Sequence, residues 1–154
     1  MQNSKQKIDF ENSIAPWLGK TSKIIDYYIH DALQKRQLDL SKEQMIVLKK
    51  LHDKDGLAQN DLAFLTLRNK SSLTRLLVKM EHKGFIDRKQ SANDKRSNHV
   101  YLTDTGRAIF KKARPVIKEV IKTMEQQLSS AEIDQFIETL KKIQFNLTAE
   151  KASL

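Results

Sequence analysis

Only four glycines and two prolines punctuate the 154 residues of this chain. These are the strongest local breakers of regular structure, so their scarcity predicts long helices and few loops. From Phe10 to Leu38 apolar residues recur at helical spacing, among them Ile14, Trp17, Ile24, Ile25, Tyr28, Ile29 and Leu33. That pattern predicts a long amphipathic helix, weakened somewhat by Gly19. Trp17 and Tyr28 fit a core or an interface better than a ligand pocket, as large aromatics on an apolar stripe usually do.

Cap signals divide the rest of the chain. Ser41 and Gln44 form a capping-box pattern ahead of a helix that should bury Ile46, Leu48 and Leu51, with Gly56 at its exit turn. A short helix in LAQNDLAFLTL should pack through Leu62, Ala63 and Leu65. Asn69 suits the N-cap of a further helix, KSSLTRLLVKMEHK, which Gly84 ends. Phe85 to Lys89 and Asn98 to Leu102 read as two short strands, the second alternating Val100 and Leu102 with His99 and Tyr101. Thr103 or Asp104 then caps a long helix carrying Ile109, Phe110, Ala113, Val116 and, further on, Met124 and Leu128. Pro115 should kink or break it. Ser129 and Glu132 form a second capping box, opening a last helix with Ile133, Phe136, Ile137, Leu140, Ile143 and Leu147. The tails, Met1–Asp9 and Thr148–Leu154, are expected to fray.

The net charge is +9, with 31% charged residues. Such an excess favours an anionic partner, although a diffusely basic surface would give the same total. There are no cysteines, which excludes disulfides, thiolate metal sites and thiol redox chemistry. The scattered glycines form no phosphate loop, there is no G-x-S-x-G elbow, and His30, His52, His82 and His99 include no H-E-x-x-H pair. These absences argue against an enzyme and leave no cofactor or metal to name. MQNSKQKIDFENSI has no apolar core of the signal-peptide kind and no apolar run is long enough to span a bilayer. The expectation is a cytoplasmic protein with no membrane partner.

Leu57 to Lys83 therefore reads as helix, turn, helix, a pattern common enough to be weak alone. Its face chemistry adds weight. Leu73, Leu76, Leu77 and Met80 fall on one side of the second helix. Ser71, Thr74, Arg75 and Lys79 fall toward the other or its flanks, and no acidic residue lies between Lys70 and Met80. Short hydroxyls and long cations suit base edges and phosphates in a major groove. Val78 is the exception, either touching a thymine methyl or packing beneath the ribbon. The ribbon behind this helix reads as a wing, with its tip at Ser91 to Ser97. Arg96 would probe a minor groove, Asp94 would hold the Arg96 guanidinium, and Arg88, Lys89 and Lys95 would meet phosphates. A solvated charged hairpin is the bland alternative. His82 and His99 could add pH-dependent charge beside DNA.

The segments LSKEQMIVLKKL and GLAQNDLAFLTLRNKSSLTRLLVKMEHKGFIDRK, the Asp94-Lys95-Arg96 tip and LTDTGR together resemble the MarR-type (multiple antibiotic resistance regulator) family. The resemblance covers Leu40 to Arg107 by motif and the whole chain by helix order. It implies a mainly α fold with a small two-stranded β-wing, in a single domain over 1–154. The winged helix-turn-helix would occupy about 40–106, and helices at about 10–38 and 108–147 would form a homodimer. It also implies a repressor that binds a near-palindromic double-stranded DNA operator and releases it to a small, often aromatic, effector, with Ser71, Ser72, Thr74, Arg75 and Lys79, and Lys70 beside them, as DNA contacts of the recognition helix. Three departures stand out: Ala58 where members often have a Ser or Thr cap, Val78 where many are polar, and no cysteine for an oxidation switch. A non-specific architectural DNA binder or a protein-interaction module would use the same fold. RNA is disfavoured, because an A-form duplex closes its major groove to a helix.

Overall fold

The computed structural model describes residues 9–94 and 96–149. In chain order its elements are α1 (Ile14–Lys35), α2 (Lys42–Asp53), β1 (Leu57–Ala58), α3 (Gln59–Leu65), α4 (Lys70–His82), β2 (Ile86–Gln90), β3 (Asn98–Leu102), α5 (Asp104–Met124) and α6 (Ser130–Ala149). The chain divides into two compact units, Met1–Ile117 and Lys118–Leu154. Residues 1–8 and 150–154 lie outside the described residues, so the expectation of frayed tails concerns mostly positions beyond them; Thr148 belongs to α6.

The first unit is built on one apolar core. Leu33 of α1, Val47, Leu48 and Leu51 of α2, Leu62 of α3, and Leu73, Leu77 and Met80 of α4 are buried in it. Ile86 and Val100 join from the sheet, and Phe110, Ala113 and Val116 from α5. His52 lies against Phe110, with ring centroids 4.7 Å apart. The capping box at α2 forms as its spacing predicts: Gln44 N–H donates to Ser41 Oγ at 3.1 Å and Ser41 N–H donates to Gln44 Oε1 at 3.1 Å. Gln44 is only 4% exposed, and Lys83 Nζ donates to the same Oε1 at 3.2 Å. Satisfying this buried amide ties the start of α2 to the end of α4.

Several expectations need correction. The sheet has three strands, in the order β1-β3-β2 and antiparallel throughout, rather than the two of a simple ribbon. Leu57 pairs with Val100 and Ala58 with His99. A strand of two residues carries no period of its own; the open edge of β3 imposes it. Ile46 is 40% exposed and Leu65 is 44% exposed, so neither packs as expected. The buried face of α2 instead runs Gln44, Val47, Leu48 and Leu51, one position out of phase with Ile46. Helix α3 has only seven residues and ends where Leu67 turns at φ 53°, which leaves Leu62 and Ala63 to carry its buried face. Pro115 does not break α5, which runs from Asp104 to Met124. Pro115 is solvent-exposed, so water can serve the carbonyl whose helical partner it removes.

The foot of the wing explains the L-T-x-x-G spacing. Thr103 N–H donates to the Phe85 carbonyl at 3.1 Å and Thr103 Oγ1 donates to the Gly84 carbonyl at 2.5 Å. The same Oγ1 accepts from Gly106 N–H at 2.9 Å, so Thr103 rather than Asp104 caps α5. This clasp presses α5 onto the chain before β2, and a Cβ at Gly106 would stand 2.0 Å from the Phe85 carbonyl oxygen.

In the second unit, Ser129 and Glu132 form their capping box, with Ser129 N–H donating to the carboxylate at 2.7 Å and Glu132 N–H donating to Ser129 Oγ at 3.2 Å. No residue of α6 is buried, and Phe136, Ile137, Phe145 and Leu147 are exposed. In the first unit, Ile14, Trp17, Ile24, Tyr27 and Tyr28 of α1 are exposed in the same way. Among the described residues no helix is long and apolar enough to cross a membrane.

Gly106→Ala is expected to lower folding stability by about 1–3 kcal/mol, as forced overpacking does, because the opposing atom is main chain and cannot swing aside. Urea denaturation of the two proteins measures the difference.

Candidate nucleic-acid interface

Helix α4 starts on Asn69, whose Oδ1 accepts from Ser72 N–H at 2.8 Å. Ser71 Oγ donates to the same oxygen at 3.0 Å, and Thr74 Oγ1 donates to the Lys70 carbonyl at 2.8 Å. Both hydroxyl protons are thus held locally, and their oxygens remain to accept from outside. Leu73, Leu76, Leu77 and Met80 are buried, as the helical period predicts. Lys70, Ser71, Thr74, Arg75 and Lys79 are exposed, while Ser72 and Val78 are half-buried. Among the described residues no ion pair involves Lys70, Arg75 or Lys79. A solvated helix face that contributed only to stability would normally pair such charges along the helix.

The start of α4 and the wing tip share one polar cleft of about 390 Å³. Lys70 and Thr74 line it from α4, Asp94 and Arg96 from the wing, and Gln59 and Asn60 from the start of α3. The last two were not picked out from the sequence, although a polar pair opening a helix just after a glycine turn was there to be seen. Lys79 points elsewhere: with Arg68, His82, Lys83 and Glu43 it lines a second cleft, of about 600 Å³, between α2 and α4. Ala58, at the N-cap of α3, makes no side-chain cap, as expected of an alanine where a Ser or Thr is common.

The wing residues do not share one role. Arg88 is engaged within the fold. Its Nε and Nη2 donate to the Glu81 carboxylate at 2.9 and 3.3 Å, and its side chain is 22% exposed. The hydrogen bond from Arg88, reinforced by its charge, holds the Glu81 carboxyl below the usual glutamate range. This pair ties β2 to α4. Lys89 Nζ lies 5.2 Å from the Tyr101 ring centroid, a cation–π distance, and remains exposed. Asp94 supports Arg96 differently from the expectation: its Oδ1 accepts from the Arg96 backbone N–H at 2.9 Å, not from the guanidinium. Ser97 N–H donates to the Asp94 carbonyl at 3.1 Å and Ser91 N–H to the Ser97 carbonyl at 2.8 Å, closing the tip as a turn. Arg96 is exposed at that turn. Lys95, expected to meet phosphate, lies outside the described residues. His99 Nδ1 stands 3.0 Å from the Gly56 carbonyl oxygen, which assigns it a structural hydrogen bond, while His82 is exposed in the last turn of α4.

A capped helix with an open cationic face, backed by a three-stranded wing, defines a winged helix-turn-helix of the DNA-binding class. The MarR family's sequence profile matches residues 40–98. The chain is 32% identical over 115 residues to the transcriptional regulator HosA of Escherichia coli O157:H7, covering 74% of this chain and 85% of HosA. It is 27% identical over 103 residues to the homoprotocatechuate degradative operon repressor of Escherichia coli, covering 67% of this chain and 70% of the repressor. Among solved structures, MepR of S. aureus in complex with DNA superposes with a TM-score of 0.81 at 27% identity, covering 87% of this chain and 98% of MepR. The chain belongs to the MarR family of DNA-binding transcriptional regulators.

The Glu81–Arg88 pair gives a pH signature. The folded Glu81 titrates below its unfolded counterpart, so the pair adds stability above the unfolded pKa, and this is lost as pH falls through the folded one. Glu81→Gln is expected to lower the urea midpoint at about pH 7, and the gap to close at about pH 3. A gap that persists in acid would assign the effect to packing rather than charge.

Proposed function

We propose that the protein is a homodimeric, sequence-specific repressor that binds a near-palindromic double-stranded DNA operator. The observation that carries this reading is the exposed face of α4, where Ser71, Thr74 and the cations Lys70, Arg75 and Lys79 lie open and where Lys70 and Thr74 share a cleft with the wing tip. Arg75, Thr74, Ser71 and Ser72 read base edges in the major groove, with Lys70 and Lys79 on flanking phosphates. Arg96 enters the adjacent minor groove, presented by the turn that Asp94 closes, and Lys89 and Lys95 meet the backbone. Arg88 acts through the helix it holds rather than on DNA directly.

Dimerisation rests on the uncovered apolar residues of α1 and, separately, of α6. A second copy would bury them and place two reading helices about 34 Å apart, one turn of B-form DNA. Repression is taken from the relative named as an operon repressor, and DNA as the ligand agrees with the MepR complex. Release by a small aromatic effector completes the proposal, carried over from the family resemblance.

The test is selection from randomised duplex DNA at near-physiological salt, then sequencing. An enriched short inverted repeat is the expected result; binding without enrichment would turn the reading toward an architectural protein. On the selected site, Arg75→Ala is expected to cost about 1–3 kcal/mol and less on random DNA, since a base contact discriminates while a phosphate contact does not. Arg96→Ala is expected to weaken binding and reduce the slope of log affinity against log salt by about 1, without altering the oligomeric mass. An unchanged slope and affinity would take Arg96 out of the interface.

A further inference from the structure

The turn between α2 and β1 carries one carboxylate that no part of the DNA reading uses. Asp55 Oδ1 accepts from Leu102 N–H at 2.9 Å, and Asp55 Oδ2 accepts from Arg107 Nη2 at 3.0 Å. Leu102 is the last residue of β3 and Arg107 lies in the first turn of α5. The β1–β3 register pairs Leu57 with Val100, so Asp55 falls opposite Leu102 two residues further along. At that position the strand has ended, and the side chain takes over the bond that a main-chain carbonyl would have made. The next residue reinforces the tie. The Gly56 carbonyl meets His99 Nδ1 at 3.0 Å, and Gly56 turns at φ 73°, where a Cβ would stand 2.8 Å from the Tyr101 ring.

We propose that Asp55 is a positioning residue for the wing: it fixes the angle at which β3 leaves α5, and so where Arg96 sits relative to α4. The inference rests on the reading of Arg96 as a DNA contact. The geometry makes the foot of the wing a sensitive place. β3 runs from Asn98 to Leu102, about 13 Å of extended strand, with Arg96 in the turn just beyond it. A rotation of about 10° at the foot would move the far end of β3 by about 2.3 Å, enough to break a hydrogen bond. On its other edge β3 is already fixed by the pairing with β2, from Ile86–Leu102 to Gln90–Asn98. Asp55 supplies the missing restraint on the β1 side, where the strand pairing stops at Leu57.

A double-mutant cycle tests this, with anisotropy of a fluorescent duplex drawn from the selected pool. Asp55→Ala is expected to weaken binding about fivefold in the parent and hardly at all in Arg96→Ala, the coupling expected of two residues acting through one element. Asp55→Asn keeps an acceptor for Leu102 N–H but loses the one for Arg107, and is expected to recover only part of the affinity. An equal fold-loss in both backgrounds would overturn the positioning role while leaving the Arg96 contact standing. No loss from Arg96→Ala alone would remove the wing contact, and the positioning role with it. Arg107→Gln breaks the other half of the tie at an exposed side chain and goes through the same cycle should Asp55→Ala not fold; additive losses there would overturn the inference equally.

Discussion

Thr103 ties three pieces of chain together at the foot of the wing, and the winged helix-turn-helix depends on it. Its backbone N–H and hydroxyl bind the carbonyls of Phe85 and Gly84, and the same hydroxyl oxygen caps α5 through Gly106 N–H. One residue thus ends β3, starts α5 and holds both to the loop after α4. The contact is close enough that Gly106 has no room for a side chain. With α5 seated there, Phe110, Ala113 and Val116 complete the core formed by α2, α3, α4 and the sheet. Helix α4 is thereby fixed to the same frame as the wing. That matters for recognition, since a displacement of about 1 Å in a directional contact is already expensive.

The charges divide along the same lines. Arg88 and Arg107 are used inside the fold, the first on Glu81 and the second on Asp55. Lys42 holds α1 to α2 through Asp26 at 2.5 Å, and Lys83 bonds the buried Gln44. Lys70, Arg75 and Lys79, by contrast, have no acidic partner among the described residues. Exposed ion pairs add little stability, so leaving these three unpaired costs the fold almost nothing. In the sequence every cation looks alike; only the three-dimensional positions of Glu81 and Asp55 separate those already engaged from those still available. Arg88, for one, is engaged by Glu81 in a way its place in the sequence does not announce.

Much of the architecture was legible because it is written in local rules. Ser41 with Gln44, Asn69, and Ser129 with Glu132 cap the helices that their spacing announces. The buried face of α4 follows its period residue by residue. What escaped were features set by distant chain. β1 exists because β3 offers an open edge, and two residues cannot advertise a strand. Ile46 and Leu65 are apolar at helical spacing, yet the neighbouring elements cover other faces of those helices. Asp94 lies two residues before Arg96, and proximity suggested a guanidinium clamp. The tight turn brings the backbone N–H to the carboxylate instead.

The apolar stripe of α1 shows a different limit. Its spacing correctly predicts a helix with one apolar side, but only Leu33 is buried, while Ile14, Trp17, Ile24 and Tyr28 face solvent. The hydrophobic effect depends on area removed from water and is indifferent to which chain removes it. A periodic pattern therefore signals burial without saying whether the cover is intramolecular. In α6, described by itself, the period is likewise apolar and no residue is buried. Uncovered aromatics and aliphatics of this number are uncommon on a monomeric surface and mark a place where a partner binds. The α4 face and these helix faces thus share one property: each leaves its strongest interaction incomplete in the isolated chain. For the apolar faces that interaction is burial, and for the α4 face it is neutralisation of charge.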